Sequence, residues 1–245
     1  MARAVASRRA VRVGTIHRVI ALLYDIHGNL PALEAVLGDA RECGAEDWIV
    51  GGDLAVFGAW PAETIGRLRE LTGARWLRGN VERWCANPEE APEPMRDAMP
   101  AYQEILGQAL VLELAALPPS IPVGDDTRCW HGSPVSDVRS FLPEPASDEA
   151  ELLDGVTERR LIFGHTHLPF RRTSESGVEL VNPGSVGMPV DGDHRAAYAL
   201  LHDDTTIEHR RVPYDHDASA AALEDEHGDA EWVRVVARRI RTASL

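Results

Sequence analysis

Cysteine is scarce in this chain, with only Cys43, Cys85 and Cys129 and no CxxC spacing among them. An odd number of unclustered thiols argues against a disulfide framework or a thiolate zinc site, and a reducing, cytoplasmic setting is the simplest inference. Long apolar runs are also missing. The run VIALLY at 19–24 is cut by Asp25, well short of the roughly 18 residues that a membrane span needs. Positive charge is in short supply too: 25 Lys and Arg face 39 Asp and Glu, for a net charge of −14. That balance argues against a protein whose main task is coating nucleic acid or an anionic membrane. It does not exclude a small anionic ligand, because a bound metal cluster would dominate the local field. The first 24 residues run against the trend, with five arginines and no acid. Lacking an apolar core segment, they do not form a secretory signal, and residues 1–18 read as a basic N-terminal extension.

At 245 residues and 44% hydrophobic content, the chain can bury one substantial core, so residues 19–245 are expected to form a single domain. Short apolar runs alternate with helical segments: VIALLY, Pro31 to Glu42, DWIV, Pro61 to Leu71, then ARWL. This is a βαβαβ pattern and points to an α/β core. Pro31 and Pro61 suit first helical turns, and Gly44 and Gly73 suit stops. A proline-punctuated helical stretch at about 86–120 reads as an insertion. The later runs LIF, VELV, AAYALL and TIEHRR point to a second sheet packed on the first. The segment 218–241 reads as a C-terminal helix with a weak point at Gly228, acidic at its start and basic at its end, as suits the helix dipole.

Polar clusters close the apolar runs. VIALLY ends in Asp25-Ile26-His27-Gly28-Asn29, DWIV in Gly51-Gly52-Asp53, and ARWL in Arg78-Gly79-Asn80-Val81-Glu82. TRCW leads into His131-Gly132-Ser133-Pro134, and LIF into Gly164-His165-Thr166-His167. Each alone is compatible with a turn or a polar loop. Five in succession are harder to explain that way, because the carboxyl ends of strands in an α/β sheet line its binding crevice. If the backbone stays extended, His165 and His167 point to one side and can converge on one centre, which suggests a metal.

With DxHGN, GD, GN, HGSP, GHTH and NPGS in this order, the chain resembles the calcineurin-like metallophosphoesterases, in particular small bacterial and archaeal members, over about residues 19 to 212. The resemblance implies a four-layer α/β/β/α sandwich of two mixed β-sheets. It also implies two divalent transition-metal ions. One would be bound by Asp25, His27, Asp53 and His167, the other by Asp53, Asn80, His131 and His165, with Asp53 as the bridge. Such ligands suit Mn, Fe, Zn or Ni. The implied reaction is hydrolysis of a phosphodiester or phosphoanhydride, nucleotides included, by in-line attack of a metal-bridging hydroxide, with Asp53, Asn80 and His131 in catalytic positions. Better-known members carry a histidine after GN that helps to protonate the leaving oxygen. Val81 stands there in this chain, which favours leaving groups needing little acid help.

The remaining expectations are looser. Asn29, Glu82, Arg83, Asn182 and Ser185 are candidates for supporting the ligands or touching substrate, with Arg78 and Arg139 as further phosphate receptors and His194 as a stand-in acid. Trp84, Tyr102, Trp130 and Phe141 are either stacking surfaces or core, and Cys129 reads as a buried strand residue. The partner is expected to be a small phosphorylated or nucleotide substrate, with no membrane, nucleic acid disfavoured by the acidic balance, and a homo-oligomer compatible with the sequence. The alternatives are a phosphomonoesterase acting on proteins or small molecules, and a non-catalytic metal-binding scaffold. The scaffold reading predicts missing ligands, and all seven are present.

Overall fold

The computed structural model describes residues 19–203 and 205–245; the expected basic extension, 1–18, lies outside them. In chain order the elements are β1 (Val19–Leu23), α1 (Leu30–Glu42), β2 (Ala45–Val50), α2 (Pro61–Arg69), β3 (Arg75–Trp76) and α3 (Asn80–Ala86). Two short 3-10 turns, Pro88–Glu90 and Met95–Ala98, lead to α4 (Met99–Leu106) and α5 (Gln108–Ala115). Then come β4 (Ser120–Val123), β5 (Thr127–Trp130), α6 (Glu149–Leu152), β6 (Arg160–Ile162), β7 (Phe170–Thr173) and β8 (Glu179–Asn182). The chain closes with β9 (Ala196–His202), β10 (Ile207–Val212), α7 (His216–His227) and α8 (Glu231–Thr242).

The strands form two mixed five-stranded sheets, ordered β10-β9-β1-β2-β3 and β4-β5-β6-β8-β7. Strands β1, β2 and β3 run parallel in the first, as do β5, β6 and β8 in the second. Alternation along β1 shows how the layers are made. Ala21 and Leu23 face the helical side, while Leu22 and Tyr24 join Ile49, Cys129, Ile162 and Val181 between the sheets. Both faces of β1 are therefore apolar, as a central strand requires. A third cluster, with Leu161, Phe163 and Leu180 against Phe141 and Leu152, covers the outer face of the second sheet. The fourth layer is thin there, since its one helix is the single turn of α6.

Two details differ from the sequence reading. AAYALL and TIEHRR do not extend the second sheet: β9 pairs antiparallel with β1, and β10 with β9. Every residue from Ala196 to Leu201 is buried, so an unbroken apolar run marks a strand covered on both faces without saying which sheet it joins. The C-terminal segment is not one helix but two. Gly228, at φ 70° and ψ −151°, closes α7 and turns the chain into α8. Helix α8 buries Trp232, Val233, Val236, Ala237 and Ile240 in the same core that receives Met99, Tyr102 and Leu114 of the helical region after α3.

A buried-to-surface clamp fastens α1 to the edge of the first sheet. The Asp39 carboxylate accepts from the Arg210 guanidinium at 2.7 and 2.9 Å and from the Tyr198 hydroxyl at 2.5 Å. The Arg210 hydrogen bonds hold the Asp39 carboxyl below its ordinary range. Asp39→Ala should lower the unfolding free energy by about 1–2 kcal/mol near neutral pH, the scale of a partly exposed charged hydrogen bond. A depressed folded-state pKa means the contribution is present above the unfolded value of about 4 and is lost as pH falls through the folded value. Denaturant melts should therefore show the difference between variant and wild type narrowing below about pH 4.

Candidate metal centre

Asp25 and His27 follow β1, Asp53 follows β2, Asn80 opens α3 after β3, His131 follows β5, and His165 and His167 follow β6. The five motif clusters thus meet at the carboxyl ends of parallel strands from both sheets. Past the strands, backbone bonds keep the loops together. Asp25 and His27 amides donate to Gly52 and Asp53 carbonyls, and the Gly164 amide donates to the His131 carbonyl.

The local backbone is unusual. Asp25, His27, Asp53, His165 and His167 all have φ between 52° and 67°, five of the eight non-glycine residues with left-handed φ among the described residues. Such conformations cost on the order of 1–3 kcal/mol each and persist where surrounding structure enforces them. They also correct the expectation for GHTH. His165 and His167 are not in extended backbone, and their rings diverge to different partners: His167 to His27, with ring centroids 5.0 Å apart, and His165 to His131, at 5.4 Å. Glycine is needed where these loops pass the carboxylates. A Cβ on Gly164 would lie 2.5 Å from Asp25 Oδ2, and one on Gly79 would lie 2.1 Å from Asp53 Oδ1.

Six of the seven side chains fall into two adjoining groups of three. In one, ligand atoms of Asp25, His27 and His167 lie within 4.8 Å of one another; in the other, those of Asp53, His131 and His165 do. Asp53 reaches both, with Oδ2 3.8 Å from His27 Nε2 and Oδ1 3.4 Å from His131 Nε2. Asn80 Oδ1 lies 3.0 Å from His131 Nε2 and 2.9 Å from His165 Nδ1.

Charge and tautomer set what this donor set can accept. Burial keeps His27 and His167 below the usual imidazole range, hence neutral. Their Nδ1 atoms sit 3.1 and 2.6 Å from the carbonyls of Val56 and Met188, which accept the ring proton. Each Nε2 is then a bare lone pair, and the two face each other at 3.2 Å with no proton between them. A cation relieves that contact and is the ligand such a pair suits. Asn80 repeats the theme. With Oδ1 inward it meets two ring nitrogens; turned over, its amide would donate to both and to the Asp137 carbonyl. The inward oxygen is the orientation that could serve a cation.

Elsewhere in the cluster, burial pushes the Asp25 carboxyl well up. It pushes Asp53 the same way, but the charge and hydrogen bond of His131 outweigh it and hold Asp53 low. His131, lowered by burial, is lifted by Asp53 to about 10. Burial and the His131 charge bring His165 down to about 4.

The supporting residues lie behind the ligands, and their hydrogen bonds go to backbone and neighbouring side chains. Glu82 is buried and accepts from the amides of Asp53, Leu54 and Gly79 at 2.9, 2.7 and 2.7 Å. Asn182 donates to the Gly164 carbonyl and the Thr166 hydroxyl, and Ser185 donates to the Asp25 carbonyl at 2.7 Å. Asn29 caps α1 and donates to the Gly187 carbonyl at 2.8 Å.

Arg83 is not free to receive phosphate, because it grips Asp137 at 2.7 Å through two nitrogens and also pairs with Glu90. Arg139 is bound to Asp148 and Glu151, and Arg78 donates to the Ala115 carbonyl. His194 stacks on His216, 4.4 Å between centroids, and does not line the centre. Tyr102 and Phe141 are core residues, as is Cys129.

A cavity of about 160 Å³ opens onto His27, Asp53, Asn80, His165 and His167. Its other walls are Phe57, Val81, Trp84, Met95, Met188, Val236 and Arg239. A second cleft, about 370 Å³, lies beside His131 and is lined by Arg78, Trp130 and Ser133 to Asp137. Met95, Val236 and Arg239 were not foreseen as site residues. They come from the helical region and from α8, and only the tertiary fold brings them here.

The family model for the calcineurin-like phosphoesterase superfamily domain matches residues 19–206, well over half of the chain. The chain belongs to that superfamily. The uncharacterised protein MJ0912 of Methanocaldococcus jannaschii is 29% identical over 224 residues, 82% of this chain and 89% of that one. Phosphodiesterase YfcE of Escherichia coli K12 is 29% identical over 198 residues, 74% of this chain and 85% of its own. A metallophosphoesterase crystal structure from Sphaerobacter thermophilus superimposes with a TM-score of 0.77 at 26% identity, covering 92% of this chain and 99% of that one. The superfamily assignment makes this a phosphoesterase-type hydrolase chain, and no helix among the described residues is long and apolar enough to cross a membrane.

The Glu82 contacts yield a stability test that needs no ligand. Glu82→Ala removes the acceptor of three backbone amides, and each buried donor left unpaired costs about 1–3 kcal/mol. Chemical denaturation should show a loss of at least about 3 kcal/mol, with Glu82→Gln, which keeps one acceptor oxygen, intermediate.

Proposed function

We propose that the chain is a dinuclear metal-dependent phosphoesterase that hydrolyses a phosphodiester or a phosphoanhydride. The carrying observation is the pair of adjoining donor groups, Asp25/His27/His167 and Asp53/His131/His165, with Asp53 between them and the His27 and His167 lone pairs set against each other at 3.2 Å. The mixture of carboxylate, amide and imidazole fits Mn, Fe, Zn or Ni and offers no thiolate to a softer ion. Two such ions would supply Lewis acidity to the phosphoryl oxygens and a water of lowered pKa.

The protein's own part is to hold these donors fixed. Asp53 serves both positions, Asn80 turns its oxygen to the second, and His165 and His167 serve one position each. Val81 lines the cavity where a proton donor to the leaving oxygen would be useful, and its side chain has none to give. A leaving group of low pKa needs no such help. The relative YfcE bears the name phosphodiesterase, and an aryl or nucleotide diester meets the same requirement here. The apolar wall of Phe57, Val81, Trp84 and Met95 suits the organic part of such a substrate.

Elemental analysis of protein purified without chelator and loaded with Mn²⁺ should give two ions per chain. His165→Ala and His167→Ala should each lower occupancy at a different position while keeping the fold, and Asp53→Asn should damage both. Each should reduce hydrolysis by at least about a hundredfold, the scale at which oriented electrostatic groups act. Two intact metal positions with near-native turnover in both histidine variants would reject the assignment. On a substrate panel, bis-aryl phosphodiesters or dinucleoside polyphosphates should turn over faster than unactivated alkyl monoesters; the reverse order would reject the leaving-group argument drawn from Val81.

A further inference from the structure

The chain contains no lysine, so every permanently cationic side chain is an arginine. Of those near the ligand motifs, Arg83 and Arg139 are engaged by carboxylates, and Arg78 is turned to the Ala115 carbonyl beside the second cleft. Arg239 differs. It projects from α8 into the wall of the 160 Å³ cavity, together with His27, Asp53, Asn80, His165 and His167. Its Nε is buried and has no hydrogen-bond partner among the described residues. The carboxylates nearby are committed elsewhere: Asp25 accepts from the His165 amide at 3.0 and 3.2 Å, and Asp53 Oδ1 accepts from the Val81 amide at 3.0 Å.

A half-buried guanidinium whose Nε lacks an acceptor is costly, because the lost hydration is not replaced there. An anion entering the cavity would offset that cost through the part of the Arg239 side chain that lines it. The guanidinium fork matches two oxygens of a phosphoryl group, and a charge-assisted bidentate pair is among the stronger polar contacts available. The scaffold is suited to hold the fork in place. Helix α8 is seated by Trp232, Val233, Val236, Ala237 and Ile240, and the adjoining Arg241 grips Glu224 of α7 at 2.7 and 2.5 Å. The family match ends at residue 206, so Arg239 lies beyond the part of the chain that the family model describes.

We propose that Arg239 receives a non-bridging phosphoryl oxygen of the substrate, making the C-terminal helical hairpin part of the substrate site. The apolar wall of Phe57, Trp84, Met95 and Val236 beside it assigns the class: a phosphodiester or phosphoanhydride with an aryl or nucleoside substituent, the phosphoryl group held on Arg239 and the substituent on that wall. This assignment rests on the hydrolytic reading of the adjoining donor groups.

The test uses the full chain loaded with Mn²⁺, inorganic phosphate as the binding probe in titration calorimetry, and bis(p-nitrophenyl) phosphate as the substrate. Arg239→Gln and Arg239→Lys are compared with Arg238→Gln, an exposed neighbour on the same helix. Metal content is measured on every sample. Arg239→Gln should weaken phosphate binding at least tenfold with metal content unchanged, and should lower kcat/KM chiefly by raising KM. Arg239→Lys should recover part of the affinity, since charge returns without the fork, and Arg238→Gln should match wild type. If Arg239→Gln fails to fold, Arg239→Lys carries the comparison, with at least a threefold loss expected. Phosphate affinity within twofold of wild type in the folded Arg239 variants, an equal loss in Arg238→Gln, or no phosphate binding by the loaded wild type would overturn the assignment. Its failure is distinct from failure of the hydrolytic reading. Phosphate held through Arg239 with no turnover of any phosphoester would sink that reading alone, and turnover indifferent to Arg239 would sink this one alone.

Discussion

Two buried carboxylates and four imidazoles occupy one small volume in this protein, and the electrostatics of that volume constrain everything around it. Left to themselves, the Asp25 and Asp53 charges repel, and the His27 and His167 lone pairs meet head-on. Positive charge is what reconciles them. In an empty cluster it arrives as a proton, which is why His131 beside Asp53 is lifted to about 10. A metal ion would supply the same compensation with more ligands at once, and the carbonyls that accept the Nδ1 protons of His27 and His167 leave both Nε2 lone pairs available.

Holding donors in such proximity requires a backbone that would not choose this shape unaided. Five of the clustered donor residues sit in left-handed conformations, and a surrounding net of buried polar groups keeps them there. Glu82 binds three amides across two ligand loops, Ser185 holds the Asp25 carbonyl, and Asn182 holds the GHTH turn from behind. Gly79 and Gly164 leave room where backbone passes close to the carboxylates. The strain and its restraint are therefore parts of one device, built where the parallel strands of two sheets end together.

Among the described residues the second sheet's outer face has one helical turn, α6, with loop residues such as Phe141, whereas the first sheet carries α1, α2, α7, α8 and the helical region after α3. That asymmetry places helices over only one side of the centre. Met95, Trp84, Val236 and Arg239 reach the cavity from this side, giving it an apolar wall with one guanidinium in it. The donor cluster and the helical wall thus face one cavity, polar on one side and mainly apolar on the other.

Much was legible in the sequence because ligands must follow strands at short, fixed intervals. The βαβαβ start and the closing of each apolar run by Asp, Asn or His depend on local spacing, whereas the division into two donor sets comes from the resemblance of the motif series to a family. Local spacing did not reveal the direction of the GHTH histidines, since left-handed φ at both is imposed by contacts with Asp25, Asn182 and Met188 from distant segments. Nor could it assign AAYALL to the first sheet, because an apolar run reports burial on two faces but not the identity of its neighbours. Arg83 and Arg239 make the point most sharply: both are arginines on helices, and what separates them is the placement of Asp137 and Glu90 around one, while the Nε of the other has no partner among the described residues. Sequence determined which chemical groups the protein has and the strands that deliver them. Tertiary structure decided which of those groups are already paired and which still face an open cavity, because pairing is a property of what lies within about 3 Å in space rather than along the chain.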